Sequence, residues 1–118
     1  VRRKFNEYGT LEDTHGNYPL VVRMVANDLD VSFIDMQFLT ERLERKLGPE
    51  KSESIHLHFE PGENPYYQNG KHDDTHLSYT GAKMIASLAL QEVARQGLAL
   101  ENYIKPQVLE AEIVTLKD

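Results

Sequence analysis

The 118-residue sequence contains no cysteine, which excludes a disulfide framework, a thiolate zinc site and a cysteine nucleophile. Lys and Arg number 13 against 19 Asp and Glu, and the resulting net charge of −6 argues against nucleic-acid or anionic-membrane partners, because both need a basic face. No apolar run approaches the roughly 20 residues of a membrane-spanning helix. Internal repeats and low-complexity segments are also missing. With 118 residues the chain is one domain at most, and its hydrophobic fraction of 40% is ordinary for a globular protein.

Apolar residues at helical spacing predict three helices. The first follows Pro19. The second spans Thr40 to Leu47 and is stopped by Gly48-Pro49. The third follows Ser78, a favourable N-cap residue, and ends at Gly97. Its apolar face is predicted to consist of Ala82, Ile85, Ala86, Ala89 and Val93, with Leu88 beside it.

Strand patterns are fewer than helix patterns. Residues 4–14 favour a small hairpin around a Gly turn, and residues 31–36 are typical of a buried parallel strand. Residues 49–75 are the least regular part and are predicted to form a long loop, while residues 108–116 predict an edge strand or a frayed tail. Alternation of helix and strand indicates an α/β layered sheet, yet one or two strands cannot cover three helices.

The shortage of strands indicates that part of the fold lies outside the chain. The sequence also begins Val1-Arg2-Arg3-Lys4-Phe5, with no initiator Met. Both observations predict that the chain is one piece of a longer polypeptide.

The segment 73–82, Asp-Asp-Thr-His-Leu-Ser-Tyr-Thr-Gly-Ala, places an acid, an imidazole and a helix start within ten residues. Asp73 and His76 lie three residues apart, on a predicted turn before the third helix. At this spacing a carboxylate can reach the imidazole Nδ1–H, fix its tautomer and leave Nε2 free as a base. Without further context, an Asp or His that only caps the turn is the simpler interpretation.

This segment resembles the last conserved block of the SGNH (GDSL-type) hydrolases, in which an Asp-x-x-His pair precedes the final helix. The wider sequence is similar to the rhamnogalacturonan acetylesterase branch of that family. The segments that carry this similarity are Arg2-Arg3-Lys4-Phe5, Thr14-His15-Gly16-Asn17-Tyr18-Pro19, Phe33-Ile34-Asp35 and Pro61-Gly62-Glu63-Asn64-Pro65. The resemblance covers residues 1–104, a C-terminal portion of the domain, and leaves 105–118 as a tail or edge strand.

The resemblance implies a flavodoxin-like three-layer α/β/α sandwich, present only in part. It also implies a serine esterase that needs no metal or organic cofactor, with His76 as general base and Asp73 as its orienting acid. The expected substrate is an acetylated plant cell-wall polysaccharide such as rhamnogalacturonan, and the expected location is secreted or periplasmic. The family's Gly-Asp-Ser block and its Gly and Asn blocks have no counterpart in these 118 residues. The isolated chain is therefore expected to be inactive.

Two alternatives stay open. The chain is a non-catalytic fragment that associates with a complementary N-terminal piece or with itself through an exposed sheet edge. Alternatively, it is a metal-binding module, because His56-Leu57-His58 followed by Glu63 resembles part of a cupin motif, and residues i and i+2 of a strand point to the same side. The simpler interpretation is that one of the two histidines is buried and the other borders the active-site loop. Arg2 and Arg3 could pair with carboxylates or with an acidic sugar, and surface ion pairs are the simpler expectation.

Overall fold

The computed structural model describes residues 1–110, which combine four helices with a small sheet. The helices are α1 (Tyr18–Asp28), α2 (Met36–Lys51), α3 (Tyr79–Arg95) and the short α4 (Pro106–Glu110), and 3₁₀ turns occupy Ser52–Ile55 and Ala99–Tyr103. None of the helices in this part of the chain is long and apolar enough to cross a bilayer. Helix α4 lies where the sequence predicts the start of an edge strand or tail, and residues 111–118 are outside the described part.

The sheet consists of two antiparallel strands, β1 (His56–Phe59) and β2 (Lys71–Leu77). Both strands lie largely within residues 49–75, which were predicted to be a long loop. That prediction is wrong for the residues of β1 and for the first five residues of β2. Hydrophobic alternation could not reveal β2, because Leu77 is its only aliphatic residue and five of its seven residues are charged or imidazole side chains. The predicted N-terminal hairpin is confirmed by the antiparallel bridge between Phe5 and Leu11.

Residues 31–35 do not form the predicted buried strand, and that prediction is wrong. Instead, Asp35 is the N-cap of α2 and accepts a hydrogen bond from the backbone N–H of Phe38 at 2.9 Å. Among residues 1–110, β1 and β2 are the only paired strands, so the apolar run has no neighbouring strand with which to form a ladder of backbone hydrogen bonds. Helix α2 therefore starts at Met36, four residues earlier than predicted.

The Gly48-Pro49 break is confirmed. Gly48 has φ 72° and ψ 177°, values that interrupt α2 and that glycine adopts more readily than other residues. The chain turns again into one helical turn before the 3₁₀ segment Ser52–Ile55. This kink brings Ile55 back against α2 and α3.

The core is small and lies between α2, the 3₁₀ turn and α3. Leu43, Ile55 and Leu88 are buried at its centre, and Leu39, Leu47, Met84 and Ile85 pack around them. The prediction for the buried face of α3 is wrong in part, because Ala82 and Ala86 are exposed. The helix buries Gly81, Leu88 and Val93.

Gly81 sets this orientation of α3. A Cβ at Gly81 would lie 1.9 Å from the carbonyl oxygen of Ile55, so only a residue without a side chain allows the helix start to approach the 3₁₀ turn. Ser78 supports the same contact. It caps α3 by accepting from the Gly81 N–H at 3.1 Å, and its hydroxyl donates to the Ser54 carbonyl at 2.7 Å.

We expect Gly81→Ala to destabilise the chain by about 3 kcal/mol, because α3 must move away from backbone atoms that cannot yield. Replacing a glycine inside a helix with Ala otherwise stabilises a protein by up to about 1 kcal/mol. A loss of stability in Gly81→Ala would therefore indicate the close approach to Ile55. Urea unfolding measures the change. Ala82→Ser, at the exposed neighbouring position, serves as the control and should stay within about 0.5 kcal/mol of the wild type. A stabilising Gly81→Ala would contradict the close approach.

Candidate functional site

The Asp73–His76 segment forms a bulge on β2. In the sheet register His56 pairs with Leu77, and the next residue of β1, Leu57, pairs with Asp73. The residues between Asp73 and Leu77 therefore have no pairing partner in the backbone register of β1. The sequence predicts a turn that leads into a helix here. The segment lies instead at the end of a strand, where such a bulge changes the direction of its side chains.

The Asp73 carboxylate organises this bulge from within. Its Oδ1 accepts from the backbone N–H groups of Thr75 and His76, both at 2.9 Å. Its Oδ2 lies 2.9 Å from Nδ1 of His76 and 3.5 Å from Nζ of Lys71. The carboxylate thus bonds the backbone of the bulge and the imidazole at the same time.

The imidazole of His76 is held at one nitrogen and exposed at the other. An ionised carboxylate only accepts hydrogen bonds, so the 2.9 Å contact requires Nδ1 to carry the proton. In the neutral ring, Nε2 then carries the lone pair. The side chain of His76 is 73% exposed while that of Asp73 is 15% exposed. This geometry suits a general base whose partner approaches from outside the described residues.

The hydrogen bonds to Asp73 have an electrostatic consequence. The backbone N–H groups of His76 and Thr75, followed by the His76 imidazole, hold the pKa of the Asp73 carboxyl well below its usual range. Asp73 therefore stays ionised in mild acid, and it can favour the imidazolium form that a base acquires during reaction.

The lowered pKa of Asp73 predicts how its contribution to stability varies with pH. A carboxyl whose pKa is lower in the folded than in the unfolded chain stabilises the fold above its unfolded pKa, about 3.9 for Asp, and this contribution is lost as the pH falls towards the folded pKa. We expect the advantage in unfolding free energy of the wild type over Asp73→Asn to shrink as the pH falls below about 4. Urea titrations at a series of pH values measure it, and an advantage that is as large at about pH 3 as at pH 7 would contradict the assignment.

Asp74, next to the candidate acid, has different partners. Its Oδ1 accepts from Nη1 of Arg3 at 2.7 Å and lies 2.9 Å from Nε2 of His58. Asp74 therefore does not compete with Asp73 for His76. Arg3 forms the expected ion pairs, with Glu53 and Asp74, although its own side chain is only 12% exposed.

The structure does not bring together the three residues of the metal-binding alternative. His56 is buried and its Nε2 lies 2.6 Å from Oε1 of Glu44, while His58 bonds Asp74. Glu63 accepts from the backbone N–H of Glu60 at 2.8 Å in the loop between the strands. Across residues 1–110 no group of three His, Cys, Asp or Glu side chains is arranged to hold a metal ion. The simpler interpretation of the two histidines, one buried and one bordering the candidate site, is confirmed.

Sequence patterns do not reveal Arg3, Glu44 or His58 as partners. The contact between Arg3 and Asp74 joins residues 71 positions apart, and no local spacing indicates it. The burial of Glu44 carries no sequence signal, because a charged residue next to an apolar helix position is usually exposed. Only the structure shows that Glu44 is 2% exposed.

One curated protein is similar to most of this chain. Rhamnogalacturonan acetylesterase RhgT of Bacillus subtilis (strain 168) is 38% identical over 103 residues, which cover 87% of this chain and 44% of the relative. The chain therefore spans less than half the length of that relative. Neither a family model nor a solved structure matches the sequence. The match confirms the resemblance to a rhamnogalacturonan acetylesterase that the motifs predict.

Proposed function

We propose that this chain supplies the acid–base half of an SGNH-type carbohydrate O-acetylesterase, and that its substrate is acetylated plant cell-wall polysaccharide such as rhamnogalacturonan. The observation that carries the proposal is the 2.9 Å contact between Nδ1 of His76 and Oδ2 of Asp73, in a chain 38% identical to an acetylesterase over 103 residues. The contact fixes the tautomer that a base needs, and the similarity supplies the reaction class.

In this proposal a serine outside the chain attacks the ester carbonyl. Nε2 of His76 takes the serine proton, Asp73 holds and stabilises the imidazolium, and the proton then passes to the sugar oxygen as its bond to the acetyl carbon breaks. In the second half of the reaction His76 takes a proton from water, which attacks the acetyl-enzyme, and returns it to the serine oxygen as acetate leaves. Backbone N–H groups outside the chain stabilise the oxyanion. The reaction so described balances without a metal or organic cofactor.

The surface of the chain supports the proposal that another segment completes the fold. Its accessible surface is 8507 Å², whereas a folded monomer of this size exposes roughly 6,500 Å². The difference of roughly 2,000 Å² exceeds the roughly 800 Å² that one partner buries in a standard protein interface. The chain thus exposes as much additional surface as a missing part of a domain would cover.

Several of the exposed large apolar residues lie together on α1 and its C-cap. Only Ala26 of this helix is buried, although the helix is rich in aliphatic side chains. Between 49% and 67% of each of the following side chains is exposed: Leu20, Val21, Val22, Met24, Val25 and Leu29. An apolar groove of about 500 Å³, lined in part by Val22, Phe33 and Ile85, runs beside it. A helix that is apolar on most of its sides is normally buried.

We assign this surface to the remaining part of the longer polypeptide, which would add the missing strands and complete the three-layer sandwich. The relative extends beyond the matched segment by more than half of its length, enough to provide them. Exposed aromatic rings beside the candidate site, such as Tyr79 at 80% exposure, would then be available to stack on a sugar.

The proposal is tested by acetate release. The 118-residue chain, the complementary segment and the two together are incubated with acetylated rhamnogalacturonan, and with acetylated xylan as the comparison substrate. We expect acetate only from the combination or from the continuous polypeptide, and more from rhamnogalacturonan than from xylan. No release from either substrate would overturn the esterase assignment. Full activity of the chain alone would refute an external serine, and self-association of the chain into a stable particle that excludes the complementary segment would refute the assignment of the α1 surface.

A further inference from the structure

The Arg3 guanidinium lies where three segments of the chain meet. Its Nε donates to Oγ of Ser52 at 2.9 Å, and its Nη2 donates to Oε1 of Glu53 at 3.1 Å and to the Pro49 carbonyl. Its Nη1 donates to Oδ1 of Asp74 at 2.7 Å. An arginine with these partners is held as a planar fork, and a lysine could not replace all of its bonds.

Arg3 holds Asp74 by its backbone as well as by its side chain. The backbone N–H of Arg3 donates to the Asp74 carbonyl at 2.9 Å, and Nε2 of His58 shares the same carboxylate from the opposite strand at 2.9 Å. Partial burial raises the pKa of the Asp74 carboxyl, but hydrogen bonds from Arg3 and His58 outweigh it, so the net shift is downward. Asp74 is thus an ionised anchor with one partner on β1 and another in the N-terminal segment.

Asp74 is the first residue of the bulge that separates Asp73 from His76. The side-chain contacts of Asp73 lie within its own strand segment, so they give the bulge its internal shape, and the pairing of Asp73 with Leu57 attaches only the start of the bulge to β1. The contacts of Asp74 supply further attachment, because they reach the kink after α2 through Arg3 and reach β1 through His58.

We propose that Arg3 is a positioning residue, which acts through Asp74 to hold the bulge in the conformation where His76 faces Asp73. The part of this inference that concerns catalysis rests on the proposed function. The structural part does not, since it concerns only the tautomer and orientation of one imidazole. His58 assists from the other strand by sharing the Asp74 carboxylate.

The test compares Arg3→Met with Arg2→Met, which removes the same charge from the exposed neighbouring position. Both variants are made in the full 118-residue chain with ¹⁵N-labelled imidazoles, and the His76 signals are assigned by their loss in His76→Gln. Long-range ¹H–¹⁵N spectra report which ring nitrogen carries the proton. We expect the Nδ1–H tautomer to dominate in the wild type and in Arg2→Met, and the Nε2–H form to rise several-fold in Arg3→Met.

Two further variants separate positioning from loss of the fold. Asp74→Asn keeps Arg3 and removes the charge that it holds, and Arg3→Lys keeps the charge without the fork. We expect Asp74→Asn to shift the tautomer population as Arg3→Met does, and Arg3→Lys to restore it only in part. An unchanged His76 tautomer in both Arg3→Met and Asp74→Asn would overturn the inference. So would a wild-type chain in which Nδ1 of His76 carries no excess of the proton.

The kinetic consequence is measured in the longer esterase. Because a small displacement of a catalytic group lowers rate strongly, Arg3→Met should lower kcat roughly 10- to 100-fold with little change in KM, while Arg2→Met changes neither. If His76→Ala leaves hydrolysis unchanged, the proposed function fails while the tautomer result still stands. If His76→Ala abolishes hydrolysis and Arg3→Met does not lower kcat, the positioning role fails by itself.

Discussion

Replacing His76 with Ala should lower kcat for aryl acetate hydrolysis by at least roughly 10⁴-fold in the longer esterase that carries this chain. The loss is this large because a serine hydroxyl is a weak nucleophile until a base removes its proton. KM should change little, since the exposed imidazole acts on the reacting atoms and not on the bulk of the sugar. Stopped assays that detect the released phenol measure both constants.

His72→Ala is the matched control for this substitution. His72 is an exposed imidazole on the same strand, four residues before His76, and it contacts the His58 ring edge-to-face at 5.6 Å. We expect its replacement to leave kcat within about twofold of the wild type, an effect of a few tenths of a kcal/mol. Equal losses in the two variants would show that the strand as a whole, and not the Asp73-bound imidazole, is required.

Asp73→Asn tests the other half of the pair. The substituted amide keeps an oxygen that can accept the backbone N–H bonds, but its NH₂ group favours the wrong imidazole tautomer and offers no charge to the imidazolium. We expect kcat to fall by up to roughly 10⁴-fold while the fold is retained. If Asp74→Asn lost as much activity as Asp73→Asn, the assignment of Asp73 as the acid that holds His76 would need to be reversed.

Local chemistry allowed several parts of the structure to be predicted. Ser78 caps α3, Gly97 follows its end with φ 63°, and Gly48 breaks α2, because each residue type satisfies a backbone requirement by itself. The spacing of Asp73 and His76 likewise predicted their contact, since three residues of chain keep the two side chains together. These predictions needed no knowledge of distant residues.

The errors arose where a distant partner decides the outcome. Residues 31–35 have the composition of a buried strand, but a strand forms only beside another one, and the described part of the chain places none there. Strand β2 was missed for the opposite reason. Its residues are mostly polar and do not predict a strand, but pairing with β1 makes them one. The role of Arg3 was missed because its partner, Asp74, lies 71 positions away in the sequence.

His56 and Glu44 form a buried pair whose loss is expected to have a large effect on stability. His56 and Glu44 are 1% and 2% exposed, and Nε2 of the imidazole lies 2.6 Å from Oε1 of the carboxylate. Oε2 of Glu44 and Nδ1 of His56 have no hydrogen-bond partner among the described residues. A pair that is buried in this way stabilises the fold only while both members are present, because either one alone leaves a polar group without compensation.

We expect Glu44→Met and His56→Leu each to destabilise the chain by about 3–5 kcal/mol, and the double variant to lose much less than the sum. The double variant replaces the pair with apolar side chains of similar size, so no buried polar group remains. A double-mutant cycle from urea unfolding gives the coupling energy. Glu50→Met and His72→Leu, at exposed positions, are the controls and should each stay within about 0.5 kcal/mol of the wild type. Additive losses would contradict the coupling.

The same cycle separates stability from chemistry, because His56 pairs in the sheet with Leu77, the residue that follows His76. If the pair serves only the core, the double variant should recover hydrolysis by the longer esterase together with its stability. A double variant that is stable but has a low kcat would mean that the buried pair also fixes the position of β2 at the bulge. In that case the orientation of His76 would depend on two anchors, Arg3 on one side and the His56–Glu44 pair on the other, and combining Arg3→Met with the double variant should lower kcat further.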